Sequence, residues 1–217
     1  MDDVRQELLF ERLRHTISDE RLGTYLSAAG FDQERALRLY IWNAQMGEAF
    51  HVPVQGVEVG LRNCVNVGLT SQFGPDWWRD AAFLAVADKE RRRDIETAQR
   101  RIQKRQAPLT TSRIVATLSF GFWVGLLGPR YHPAVWSACL STAFRGLPGD
   151  KSRQELALEA KRVSGLRNRI WHHEPVFRLD LSAEYHAVMQ LLAWICPSKA
   201  IWLKPHCQVP RLLRQKP

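Results

Sequence analysis

The chain lacks any apolar stretch long enough to cross a bilayer. The longest, Phe120 to Gly128, falls well short of the roughly 20 residues a spanning helix needs. Its start, Met1-Asp2-Asp3-Val4-Arg5, is charged and has no apolar signal-like segment, so the expected location is the cytoplasm, with no membrane partner. Cysteine is scarce: Cys64, Cys139, Cys196 and Cys207 are the four in 217 residues. None forms a C-x-x-C pair, which points to reduced thiols rather than a disulfide framework. His206-Cys207 has no second pair at ligand spacing, so no metal site and no cofactor is expected. Persistent strand alternation, internal repeats and low-complexity tracts are also missing. GxxxxGK[ST], GxGxxG and HExxH are absent, which removes support for nucleotide-loop and zincin readings.

Basic residues and tryptophan are plentiful. There are 31 Lys and Arg against 22 Asp and Glu, a formal charge of +9, and eight tryptophans. The charge favours polyanionic partners, nucleic acid or an anionic surface, although a solvated basic face has the same composition. Most of the tryptophans read as packing between helices.

The periodicity is helical nearly throughout, so the fold class is all-α. Ser18 reads as the cap of a helix reaching about Ala29, where Gly30 stops it. A second helix starts near Asp32 and runs to about Phe50. Pro53 reads as the first position of a third, with Val54, Val57, Leu61, Val65 and Leu69 on one face and Glu58 and Arg62 four apart. Gly74-Pro75 breaks the pattern. Residues 88–106 form a strongly charged helix, either solvated and internally ion-paired or a basic rail for a phosphate backbone. Leu118 to Leu127 reads as a buried helical segment. A long helix follows from about Lys151, and Ser182 reads as the cap of a last helix ending near Cys196-Pro197. The organisation expected is one all-α domain over 1–196 and a basic, proline-containing tail over 197–217, partly unstructured.

The richest stretch is Arg167-Asn168-Arg169-Ile170-Trp171-His172-His173-Glu174-Pro175. Pro175 cannot continue a helix, which should therefore end near His172 or His173. Asn168 and His172, four apart, face the same way, so the amide can orient the imidazole. Arg167 and His172 lie about 140° apart around an ideal helix. They converge only if the helix end distorts or both reach a cleft shared with another helix or subunit. An imidazole can move a proton at a phosphodiester, and an arginine can hold its non-bridging oxygens. RNA supplies its own nucleophile, the 2′-hydroxyl, so this set suits metal-free transesterification. Salt-bridged surface arginines and a polar helix end would produce the same letters.

This stretch resembles the R-N-x-x-x-H-H signature of the Abi-like (abortive infection) proteins of bacteria, within the HEPN superfamily. Leu39-Tyr40-Ile41-Trp42-Asn43, Val57-Glu58-Val59-Gly60-Leu61-Arg62-Asn63, Phe73-Gly74-Pro75-Asp76-Trp77-Trp78 and Leu118-Ser119-Phe120-Gly121-Phe122-Trp123 resemble further family segments, in order, over roughly residues 17 to 196. The resemblance implies a HEPN-like helical bundle with additional N-terminal helices. It also implies a metal-independent ribonuclease of a phage-defence or toxin–antitoxin system, and a homodimer whose active sites form where two motifs meet. Arg167, Asn168 and His172 would be catalytic. His173, Arg62, Glu58 and Asn63 would support them or bind substrate. RNA and an antitoxin, protein or small RNA, would be the partners. A non-catalytic RNA-binding or regulatory module is the competing reading, and a purely structural helical oligomer a weaker third.

Overall fold

Several helices in this chain start at side-chain caps. A computed structural model describes residues 2–217, with side chains described from Leu9 onward. The charged start Met1–Arg5 thus lies outside the described side chains. The helices are α1 (Asp2–Ile17), α2 (Asp19–Ala28), α3 (Gln33–Phe73), α4 (Ala81–Val86), α5 (Lys89–Lys104), α6 (Thr111–Thr117), α7 (Phe120–Gly125), α8 (Arg153–Trp171), α9 (Leu181–Ile195), α10 (Pro197–Leu203) and α11 (Val209–Leu213). A π-helical segment, His132–Leu140, precedes α8. Among the described residues there is no strand, so the chain is all-α, and no helix is long and apolar enough to cross a membrane.

Ser18 caps α2 by accepting the N–H of Arg21, and Asp88 caps α5 by accepting that of Arg91. Such caps stabilise a helix by about 1 kcal/mol. Gly74, at φ 86°, follows the end of α3. Three expectations change. The two helices expected to meet at Pro53 are one, α3, with Pro53 inside it. Proline in a helix interior costs about 3 kcal/mol. Here Met46, Phe50, Val54 and Val57 on both sides of Pro53 are buried at 0% exposure, and their burial outweighs that cost. The cap of α9 is Asp180, which accepts the N–H of Ala183, and Ser182 lies inside the helix. Residues 197–217 form α10 and α11, anchored by buried Leu203, Val209 and Leu212, rather than an unstructured tail.

The chain groups into two units. The first comprises Met1–Val52, Asn168–Tyr185 and His206–Pro217. Tyr25 is at its centre, edge-on to Tyr40 at 5.2 Å and beside Phe177 at 5.0 Å. Buried Asn43 accepts the N–H groups of Val176 and Phe177 at 2.8 and 3.1 Å, which holds the chain just past Pro175 against α3. Trp42 Nε1 donates to the carbonyl of Leu212 at 2.9 Å and ties α11 to the same helix.

The second unit comprises Pro53–Arg167 and His186–Pro205. Val54, Val57, Leu61, Val65 and Leu69 of α3 are all buried, as the helical spacing predicts. Its aromatic centre is Trp77, edge-on to Phe83 at 5.1 Å and to Trp123 at 5.9 Å. The charged helix α5 turns Ile95, Ala98 and Ile102 inward. It also buries Arg91, whose guanidinium donates to the Gly121 carbonyl at 3.0 Å. A Cβ on Gly125 would lie 2.6 Å from that guanidinium, so a larger residue there would require the Arg91 side chain to shift.

Candidate functional site

The end of α8 is built as a Schellman turn. His173 N–H reaches the Ile170 carbonyl at 3.0 Å and Glu174 N–H the Arg169 carbonyl at 2.8 Å. His173 itself takes φ 56°, the left-handed conformation usually given to glycine. Pro175 follows and cannot extend the helix. The helix, expected to end near His172 or His173, has Trp171 as its last helical position, one residue earlier.

This turn presents Asn168, His172 and His173 to solvent. His172 N–H bonds to the Asn168 carbonyl at 2.9 Å, so the two residues sit one turn apart on the same side. Arg167 is half-buried. Its Nε donates to Glu58 Oε2 at 3.3 Å, between side chains about a quarter exposed. Glu58 therefore pairs across helices with Arg167 and not, among the described residues, with Arg62 four residues on. Arg62 Nε is buried without a hydrogen-bond partner among the described residues, and Asn63 is exposed. Arg167, Glu58, Arg62 and Asn63 belong to the second unit; Asn168, His172 and His173 belong to the first.

Within the first unit, a cavity of about 790 Å³ lies against the α8 turn. Trp171, His173 and Glu174 line it from α8, Arg21 and Tyr25 from α2, and Tyr40, Glu48 and His51 from α3. His51 stacks on Trp171, with ring centroids 5.3 Å apart and planes 23° apart. An Arg21 Nη donates to the His173 carbonyl, which ties the start of α2 to the left-handed turn. Glu174 is paired with Arg169 at 3.1 Å. Burial pushes the Tyr25 hydroxyl above its ordinary pKa, opposed by Arg21 and reinforced by Tyr40, so it stays protonated at neutral pH.

Arg21, Tyr25, Glu48 and His51 were not singled out by sequence. The only local signal is that Glu48 and His51 lie three apart, on one face of α3. Elsewhere, the Cys207 thiol of the His206-Cys207 pair is pushed up by burial and meets the Tyr185 hydroxyl, which opposes that shift. Six basic residues of α5, Lys89, Arg92, Arg93, Arg100, Arg101 and Lys104, are exposed, while Arg91 is not.

No family model matches the chain, and searches of curated proteins and of solved structures return no match.

Proposed function

We propose that the chain is a metal-independent endoribonuclease with a HEPN-like helical bundle, acting in the cytoplasm as a homodimer in a phage-defence or toxin–antitoxin system. The carrying observation is the end of α8, where the Schellman turn leaves His172 exposed with Asn168 one turn behind it. The His172 imidazole takes the proton of a ribose 2′-hydroxyl. As O2′ bonds to phosphorus, the P–O5′ bond breaks and the leaving oxygen takes a proton from water, giving a 2′,3′-cyclic phosphate and a 5′-hydroxyl. Asn168 orients the imidazole. Arg167, released from or sharing its contact with Glu58, stabilises charge on the non-bridging oxygens. Net charge +9 favours the polyanionic substrate.

The test is a defined RNA with one scissile position, offered as ribose and as 2′-deoxyribose. Cleavage confined to the ribose form, with a cyclic phosphate terminus, supports the mechanism. Cutting of both forms rejects it.

A second reading, a non-catalytic RNA-binding or regulatory module, is favoured by one observation: the Arg167 guanidinium is engaged by Glu58. In that reading the exposed basic residues of α5 carry binding. Reversing Arg100, Arg101 and Lys104 to glutamate would then weaken RNA binding and flatten its salt dependence, while His172→Ala would leave binding intact.

A further inference from the structure

Among the described residues, two buried polar atoms of the first unit have no hydrogen-bond partner: the Tyr25 hydroxyl and Arg21 Nε. Both side chains line the same cavity, and Tyr25 is 0% exposed. A fully buried hydroxyl without a partner costs stability, so such a group signals a missing acceptor.

Most other polar groups of the cavity wall are already used. Asn43 Oδ1 holds Val176 and Phe177, Glu174 holds Arg169, and an Arg21 Nη holds the His173 carbonyl. The wall also carries a donor pair, Tyr25 Oη and Arg21 Nε, the hydroxyl of Tyr40, the carboxylate of Glu48, and the stacked rings of His51 and Trp171.

A ligand matching this set is planar, with acceptors on one edge and adjacent donors on another. Guanine fits. Its O6 and N7 accept, arginine being their commonest protein donor. Its N1–H and N2–H₂ groups stand side by side and can donate together to one carboxylate. Adenine has no such donor pair. Uracil flanks its single N–H with two carbonyls, and cytosine sets an acceptor beside its amine. The volume, about 790 Å³, lies within the range of small-ligand sites.

We propose that this cavity binds a guanine base, presented by an unpaired guanosine of RNA or by a free guanine nucleotide. The base stacks on the Trp171–His51 pair, its acceptor edge meets Tyr25 and Arg21, and its donor edge meets Glu48. The RNA source rests on the function proposed above. Guanine binding itself is read without cleavage, so either statement can fail alone.

Isothermal titration of the full chain with GMP, AMP, CMP and UMP tests it, alongside a tetraribonucleotide holding one guanosine and its adenosine counterpart. The expected result is that guanine ligands bind at least tenfold tighter than their counterparts. Tighter binding of the guanosine RNA than of GMP assigns the RNA source; the reverse assigns the free nucleotide. Tyr25→Phe should weaken guanine binding several-fold without lowering the melting temperature, because it removes an unpartnered hydroxyl. Trp171→Ala should weaken it at least tenfold, and Glu48→Gln should erase the preference over adenine. Equal affinity for all four nucleotides, no measurable binding, or guanine binding unchanged in Tyr25→Phe and Trp171→Ala would overturn the proposal.

Discussion

Trp77 and Trp171 are the same residue in opposite roles. Trp77 is 0% exposed, donates to Asn66 at 2.9 Å and is ringed by Phe83, Phe122 and Trp123. Trp171 is 37% exposed, closes α8 and stacks on His51 at a cavity wall. Tyr131 and Tyr25 repeat the contrast. Both are buried, at 2% and 0% exposure. The Tyr131 hydroxyl donates to Asp88 Oδ2 at 2.9 Å and accepts the Asp88 N–H at 3.2 Å. The Tyr25 hydroxyl has no partner among the described residues. Trp77 and Tyr131, in the second unit, use their polar groups to hold the fold. Trp171 and Tyr25, in the first unit, line a cavity, where binding chemistry has room.

The largest expected effect separates the tryptophans. Trp77→Ala should lose about 3–5 kcal/mol in urea denaturation, the range for a buried aromatic. Trp171→Ala should lose less than about 1 kcal/mol. Equal losses would erase the distinction between a packing and a site tryptophan.

The tyrosines should differ next. Tyr131→Phe leaves Asp88 short of a donor and should cost about 1 kcal/mol, whereas Tyr25→Phe should cost nothing or stabilise slightly. pH sharpens this pair. Burial, reinforced by the Asp88 carboxylate, pushes Tyr131 up to about 12. A group raised in the folded state contributes stability that is fully present below its unfolded pKa, near 10 for tyrosine. That contribution is lost as pH rises through about 12. Wild-type stability should therefore fall across this alkaline window, and Tyr131→Phe should flatten the fall. An unchanged slope in Tyr131→Phe would place the alkaline loss elsewhere.

The smallest effect concerns His173, held at φ 56° in the left-handed region. His173→Gly should stabilise by about 0.5–1 kcal/mol by relieving the backbone. Destabilisation would show that the imidazole makes a structural contact that offsets its strain. A strained non-glycine residue beside a cavity fits a site maintained at some cost to stability.

Local rules read this chain well where the determinant is local. Ser18, Asp88, the Gly74 stop and the end at Pro175 each act within one turn, and each appears where its chemistry places it. The all-α class follows from the same periodicity. Pro53 defeats the local rule because its cost is offset by side chains buried along 46–57, information that no window centred on the proline contains. The C-terminal residues were misread for a related reason. Proline at the first turns of α10 and α11 starts short helices, which are held by buried Leu203, Val209 and Leu212.

The candidate residues divide the same way. The order of Asn168 and His172 on one face was legible from spacing. The partner of Glu58 was not, since Arg167 lies 109 residues away and Arg62 only four. The cavity was not legible either, because its wall draws on residues near 21, 48 and 171 that share no motif.

The most direct test of the central claim, that the exposed end of α8 performs chemistry on RNA, is the cleavage rate of one defined RNA by wild type and His172→Ala. Loss of a positioned proton-transfer group should slow cleavage by about 10²–10⁴-fold, with folding unchanged because His172 is exposed. Equal rates for the two proteins would contradict it.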